Sequence, residues 1–260
     1  SVCGNLAIPG FSNVATTLGT IGGGGGFQVF QTGSVNGSII PANASVNATN
    51  SGIYSSILAG CQQTIGLAGD YSAIVGGFNN CLQSGFSIIA GGDRNRIING
   101  GGAECQYMQS NTIIGGHCNY ISGSGDASET RSSNNTIIGG LFNDIEFGCG
   151  QIILGGCQSK ISGSLLSNYN AILSGKGSQI LAPPGSSTCR NIIVGGCDTK
   201  MISAGHGNTI LNGNFNTISG SLSCNSAIVG GTNHLSYNNQ NGAIIGGFCV
   251  TASGTQIALG

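Results

Sequence analysis

Tryptophan is absent from this chain, proline occurs four times and methionine twice, and charged residues fill 6% of its 260 positions. Each scarcity removes a class of protein. A soluble domain ordinarily carries roughly 25% charged residues, so ion pairing does not organise this surface. Seven Lys and Arg against eight Asp and Glu leave a net charge of -1, which provides no electrostatic footprint for nucleic acid or an anionic membrane. No stretch approaches the roughly 18 consecutive apolar residues of a membrane span, so membrane insertion is not expected. Scarce charge together with abundant isoleucine is the reverse of a disordered composition. Solubility then falls to Asn, Ser and Thr, or to attached sugars. The chain begins at Ser1 without methionine, as a processed chain or a piece of a longer one does, and a removed signal peptide is compatible with it.

Catalytic signatures are equally scarce. There is no nucleophile elbow, no Ser-His-Asp order, no P-loop, no HExxH and no CxxC. Three histidines, His117, His206 and His234, have no second ligand pair at metal spacing and are expected at the surface. No cofactor and no metal are expected, and the chain is read as a non-enzyme.

What is present is glycine, 49 residues of it, without the every-third-residue period of collagen. The glycines mark a repeat. Aligning the chain on two aliphatic residues followed by Gly-Gly gives SAIVGGFNNCL (Ser72 to Leu82), SIIAGGDRNRI (Ser87 to Ile97), NTIIGGHCNYI (Asn111 to Ile121) and NTIIGGLFNDI (Asn135 to Ile145), with further copies to the C-terminus. The first glycine position of successive copies falls at Gly22, Pro41, Ala59, Gly76, Gly91, Gly115, Gly139, Gly155, Ser174, Gly195, Asn212, Gly230 and Gly246, with Gly260 beginning one more, spaced 14 to 24 residues apart. An invariant core with variable spacing describes fixed strands joined by variable loops, which is a solenoid. The expectation is an all-β chain, a parallel β-solenoid or β-roll of about 13 turns, with degenerate copies and Gly/Asn/Ser-rich loops over 1–54 and regular repeats over 55–260.

One copy can be read residue by residue. Ile57, Ile74, Ile89, Ile113, Ile137, Ile153, Ile172, Ile193, Ile210, Ile228 and Ile244 stand two positions before the first glycine. The next position holds Leu58, Val75, Ile114, Ile138, Leu154, Leu173, Val194, Leu211, Val229 and Ile245, with Ala90 the small exception. Successive strand residues point to opposite faces, so two adjacent aliphatics make a strand that is apolar on both. The isoleucines are assigned to the solenoid interior as a core ladder. The second series points outward as an apolar stripe of a kind monomers rarely expose, and it is assigned to contacts between copies. Gly-Gly reads as a corner. The recurrent Asn80, Asn95, Asn119, Asn143 and Asn216, with Ser159, Ser178 and Thr199 in the same place, read as a second corner, because Asn tolerates the left-handed region. Stacked copies of this residue can also hydrogen-bond from turn to turn. Two residues later Ile65, Leu82, Ile97, Ile121, Ile145, Ile161, Ile180, Met201 and Ile218 form a second strand.

The pattern Ser/Asn-x-Ile-Ile/Val-Gly-Gly-x-x-Asn-x-Ile resembles the head repeats of YadA-like trimeric adhesins and related repeats of phage and virus fibre proteins. The resemblance covers about residues 55 to 250. It implies a left-handed parallel β-roll, three copies side by side as a homotrimer joined through one apolar face, and an extracellular or virion-surface location. The repeat is longer and less regular than the compact adhesin head repeat, and no heptad stalk or anchor barrel accompanies it. Eleven cysteines also set it apart from bacterial heads and favour a viral or phage fibre.

Among the cysteines, Cys61, Cys157 and Cys197 share the position after Gly-Gly. Cys149 and Cys189 each lie eight residues earlier, making Cys149–Cys157 and Cys189–Cys197 candidate disulfides beside the alternative of reduced thiols. An odd count leaves at least one cysteine outside any intrachain pair. Asp144 and Glu146 alternate on one strand face roughly 6 to 7 Å apart, a separation that two glycosidase carboxylates also use. Asn36, Asn43, Asn47 and Asn134 stand in glycosylation sequons. Gly22 to Gly26 is read as a flexible connection. The longest insertions, Ile98 to Ser110, Ser122 to Asn134 and Ile180 to Arg190, carry Glu104, Tyr107, Met108, Asp126, Glu129, Arg131 and the Pro183-Pro184 pair, and loops on a rigid scaffold are where binding usually sits. The expected role is a structural, surface-displayed fibre or adhesin-like module that presents loops to a cell-surface receptor or glycan. Its rivals are an end-to-end filament subunit, an ice-binding solenoid, for which Thr112, Thr136 and Thr209 share a position, and a polysaccharide-degrading tailspike.

Overall fold

A computed structural model describes residues 49–260 except 53, 68, 99–109, 124–131, 164–166, 183–187 and 203–204, together with the backbone of short strands nearer the N-terminus. The described residues contain strands and turns and no helix. The chain is a parallel β-solenoid of stacked coils and makes about eleven turns. That is fewer than the thirteen expected: a series of rungs bounds one turn fewer than its number, and the glycine positions of the copies headed by Gly22 and Pro41 lie outside the described residues. By compactness it divides into an N-terminal unit, Ser1–Ala127, and a C-terminal unit, Ser128–Gly260.

The C-terminal unit shows the coil plan best. The first sheet stacks Thr136–Ile138, Ile152–Leu154, Ala171–Leu173, Ile192–Val194, Thr209–Leu211, Ala227–Val229, Ala243–Ile245 and Ile257–Leu259, all parallel. The second sheet stacks Asp144–Glu146, Lys160–Ser162, Gln179–Leu181, Lys200–Ile202, Thr217–Ser219, Leu235–Tyr237 and Thr251–Ser253. Between the sheets run two narrow lanes of single-residue bridges. A leading lane precedes the first sheet (Cys149, Asn168, Cys189, His206), and a trailing lane follows it (Leu141, Cys157, Lys176, Cys197, Asn214, Thr232, Phe248). The N-terminal unit repeats the plan, with Ile57, Ile74, Ile89 and Ile113 in the first sheet and Ile65, Leu82, Ile97 and Ile121 in the second.

All eleven isoleucines of the assigned core ladder are buried. They face the second-strand series, Ile65 through Ile218, which is buried to the same degree. Each such side chain contributes roughly 1.5–3 kcal/mol by leaving water.

The recurrent Asn is not a corner, which corrects the sequence reading. Left-handed backbone occurs one residue earlier, at Asn79, Arg94, Cys118, Phe142, Gln158, Asp198 and Phe215, and the Asn itself points inward and is buried. The Asn143 amide nitrogen donates to the carbonyls of Gly139 in its own coil (3.4 Å) and Gly155 in the next (3.1 Å). The Asn143 carbonyl accepts the backbone N–H of Ser159 (3.1 Å). This site also explains the paired glycines. A Cβ on Gly140 would lie 2.2 Å from the Asn143 amide nitrogen and 2.6 Å from the Gly156 carbonyl, whereas a Cβ on Gly139 would meet nothing within 4 Å. Gly139 is needed only for its φ of 66°, and Ser174 and Asn212 take that place in other coils at 66° and 56°. The turn-to-turn ladder is present as expected.

A second ladder, which the sequence reading did not separate, runs on the leading side of the C-terminal unit. The side-chain carbonyls of Asn135, Gln151, Asn170, Asn191 and Asn208 accept the backbone N–H of Gln151, Asn170, Asn191, Asn208 and Ser226 in turn, at 2.9 to 3.0 Å. Their amide nitrogens donate to carbonyls of the following coil at 2.8 to 3.1 Å. A coil interior therefore holds aliphatic and polar columns, and the amides of these two ladders are satisfied by their neighbours along the stack, whereas the buried Asn239 amide has no partner on either atom.

Candidate functional surface

Function has to reside on the outside of these coils, and the two sheets differ in the charge they present. In the C-terminal unit sixteen side chains face outward from the first sheet. Fourteen are apolar and the other two are Thr136 and Thr209; none is charged. The series assigned to contacts between copies lies outward on the first sheet, with Ile138, Leu154, Leu211, Val229 and Ile245 exposed and Leu173 and Val194 half-buried in the C-terminal unit, and Leu58, Val75 and Ile114 exposed in the N-terminal unit. Seven rung spacings of about 4.8 Å give this face a length of roughly 34 Å. The second sheet instead is mixed: it turns Asp144, Glu146, Lys160, Gln179, Lys200, Thr217 and several serines outward, beside Leu181, Ile202, Leu235 and Tyr237.

The two borders of the coil also differ. The step from the first-sheet isoleucine to its second-sheet counterpart is eight residues in every coil, as from Ile153 to Ile161 and from Ile193 to Met201. The return step varies from 6 residues, Ala252 to Ala258, to 16, Ile97 to Ile113. All length variation thus leaves the coil at one border, between the second sheet and the leading lane. The long insertions expected as binding loops depart and rejoin there, although 99–109, 124–131 and 183–187, with Glu104, Tyr107, Met108, Asp126, Glu129, Arg131, Pro183 and Pro184, lie outside the described residues. On the same border of the N-terminal unit Tyr54, Tyr71 and Phe86 stack in a column, ring centroids 5.1 and 4.9 Å apart, each at least half exposed. All three occupy left-handed corners, with φ between 52° and 55°. Each stands three residues before a core isoleucine, Ile57, Ile74 or Ile89, and that constant offset was the signal in the repeat that the sequence reading passed over.

Asp144 and Glu146 do share one outward face, but Lys160 of the next coil sits on both. Its Nζ donates to Asp144 Oδ2 at 3.0 Å and to Glu146 Oε1 at 2.7 Å. Burial pushes the Asp144 carboxyl up to about 6 against the pull of the Lys160 ammonium, and the neighbouring Glu146 adds to the rise. Burial also works to raise Glu146, yet Lys160 and a bond with Ser162 hold it below the usual range. Burial opposes the charge of Lys160, and the two carboxylates override it and raise its pKa. The arrangement is a clamp between two coils.

The candidate disulfides Cys149–Cys157 and Cys189–Cys197 are not formed. Each pair is split between the leading and trailing lanes, with a strand and a corner at each end between its members. Cys197 donates to Asp198 Oδ2 at 3.3 Å, and that bond is the main reason its pKa is raised. Burial raises the Cys81 thiol against the nearby Arg96. Neither thiol has the depressed pKa of an activated nucleophile. Cys3 and Cys105 lie outside the described residues.

His234 departs from its expected surface position. It is buried in the trailing-side polar column in place of Asn, where its Nδ1 accepts the backbone N–H of Val250 at 3.1 Å. His117 Nδ1 lies 2.7 Å from Asp93 Oδ2 and is partly exposed, and His206 is exposed. No group of three His, Cys, Asp or Glu suited to a metal ion occurs among the described residues, and no helix among them is long and apolar enough to cross a membrane. Of the sequon asparagines, Asn134 is exposed at a corner with φ 58°. Asn47 lies in a strand whose side chain there is not described, and Asn36, Asn43 and the run Gly22 to Gly26 fall outside the described residues. The chain matches no known protein-family model and no curated protein sequence.

Proposed function

We propose that this chain is a structural module of a surface-displayed fibre, adhesin-like in its repeats. In this reading its copies pack side by side as a homotrimer through the outer face of the first sheet and hold the leading-border loops toward a receptor or glycan. The observation that carries the reading is the charge-free apolar face on a chain that places its charged strand residues on the opposite sheet. Exposed apolar patches of several hundred Å² on soluble proteins mark interaction sites, and a face built of evenly spaced apolar rungs can pack against copies of itself along its whole length. Collecting every insertion at one border keeps loop variation away from that face, and repeat proteins use such one-sided loops for binding. The exposed column of Tyr54, Tyr71 and Phe86 adds apolar contact area beside the loops. The left-handed coil implied by the adhesin resemblance belongs to the same reading.

Light scattering on a sizing column tests it. The expected native mass is three times the chain mass of 25.8 kDa, falling to that of one chain when Val194 and Leu211 are both changed to Lys. A monomeric native protein would falsify the reading. Glycan-array binding by the trimer is the second measurement, with binding lost when the loops are shortened.

A further inference from the structure

Four cysteines of the C-terminal unit stand two by two on the borders of the charge-free face. Cys149 and Cys157 belong to one coil, and Cys189 and Cys197 to a coil two further along. In each coil one thiol occupies the leading lane and the other the trailing lane, with an apolar rung between them, Ile152–Leu154 or Ile192–Val194. All four are half-buried thiols. The intervening coil has Asn168 and Lys176 in the corresponding places.

Within one copy these thiols cannot reach one another. Along a lane the members are two coils apart, roughly 9.6 Å at about 4.8 Å per rung, whereas bridged Cα atoms lie within about 7 Å. Across the face the three-residue rung alone spans about 7 Å, and two corners add to it. A second copy changes the geometry. Rotation about an axis parallel to the solenoid and lying in front of the first-sheet face keeps each coil at its own height and sets the leading border of one copy beside the trailing border of the next. Cys149 of one copy then meets Cys157 of its neighbour, and Cys189 meets Cys197, at every seam of the ring. Cys224 is the internal control: it stands in the leading lane, but Thr232 occupies the trailing lane of its coil.

We infer that the side-by-side assembly is closed covalently by two disulfides per seam, Cys149 to Cys157 and Cys189 to Cys197 of adjacent copies. The inference rests on the fibre reading above. Oxidation requires a two-electron acceptor of the small-molecule disulfide class, such as oxidised glutathione. One protein thiolate attacks a glutathione sulfur and expels a glutathione thiolate. The neighbouring copy's thiolate then attacks the protein sulfur of the mixed disulfide and expels the second. Two protein thiols and one glutathione disulfide become one protein disulfide and two glutathione thiols.

The test uses the full chain with its other seven cysteines changed to Ser, incubated with oxidised glutathione and run on a non-reducing denaturing gel. The expected product is a covalent multiple of the chain that dithiothreitol returns to one chain, with Cys149–Cys157 and Cys189–Cys197 peptides identified by mass spectrometry. Two further variants, C149N/C189N and C157N/C197N, are expected to fold, because Asn168 and Asn214 already occupy these lanes. Each alone runs as a single chain, and the two co-expressed give a covalent pair and nothing larger. An oligomer by light scattering that stays uncrosslinked after oxidation overturns the disulfides and leaves the fibre reading standing. Bonds joining Cys149 to Cys149 overturn the parallel in-register packing. A monomer before and after oxidation overturns both.

Discussion

Asn143, Asn170 and their counterparts are buried amides that stitch one coil to the next, and their neighbours are chosen around them. The second glycine of each Gly-Gly pair leaves out the one carbon that would strike the amide, while the first supplies a left-handed corner that other residues also adopt. Gly139→Ala is therefore expected to cost about 1–2 kcal/mol, the penalty for an L-residue at that φ. Gly140→Ala costs distinctly more, because the new carbon also meets Asn143 and the Gly156 carbonyl; urea unfolding of the two variants would measure the gap. Asn170→Ala leaves the Asn191 N–H and the Thr188 carbonyl buried without their partner and is expected to cost about 2–4 kcal/mol. The Asp144 clamp gives a pH signature. With its folded pKa raised to about 6, Asp144 favours the fold most below the unfolded value near 4, and that contribution is lost as pH rises through 6. Glu146, held low, works in the opposite sense: its contribution is present at neutral pH and lost as pH falls through its lowered pKa. Asp144→Asn should thus gain stability relative to the parent between pH 5 and 7, read as the difference in unfolding midpoint. A constant difference across that range would show that Asp144 titrates alike in the folded and unfolded chains. In carbon NMR, Lys160→Gln should move the Asp144 midpoint above 6.

At the scale of the rung, a three-residue strand serves two faces. Ile193 fills the interior, and Ile192 and Val194 face out on either side of it. Ile193→Ala is expected to cost about 2–5 kcal/mol as a core cavity. Val194→Lys leaves the far-UV circular dichroism of the coil unchanged and acts on native mass instead. This division was legible in the sequence, because two adjacent aliphatics repeated along a chain admit no other reading once the period-2 alternation of a strand is applied. The corners were legible only in part. Asn was placed at a left-handed turn by its known tolerance for that conformation, and the structure gives the turn to the preceding residue, whatever it is, including Phe142, Phe215 and Arg94. Local propensity lost to a buried amide with satisfied partners on both sides. The same competition buried His234, a residue whose type alone points to the surface.

For the molecule as a whole, rigidity and variation are assigned to different arcs of the coil. The arc from first sheet to second never changes length, and the return arc changes freely. Deleting residues 183–187 shortens one return step from 13 residues to 8, the length already used between Ile145 and Ile153, so the melting temperature should stay within a few degrees while ligand binding through that loop is lost. Deleting Gln158 alone shortens an invariant arc, shifts every later side chain of that coil to the wrong face, and should prevent cooperative folding. Hydrogen exchange would separate the two outcomes.

The repeat, the all-β parallel solenoid, the inward isoleucines and the outward apolar series followed from the order of residues alone, because strand alternation and strand spacing are local rules that need no knowledge of what lies across the coil. Three things needed the tertiary structure: that the two lanes lie on opposite borders, which carbonyl each buried amide reaches, and which border carries the insertions. Each depends on residues 7 to 24 positions apart being brought to the same height, and that height is set by the variable return arcs, whose lengths carry no local signal. For this reason Cys149 and Cys157, so close in sequence, lie on opposite borders, while Cys149 and Asn168 are neighbours.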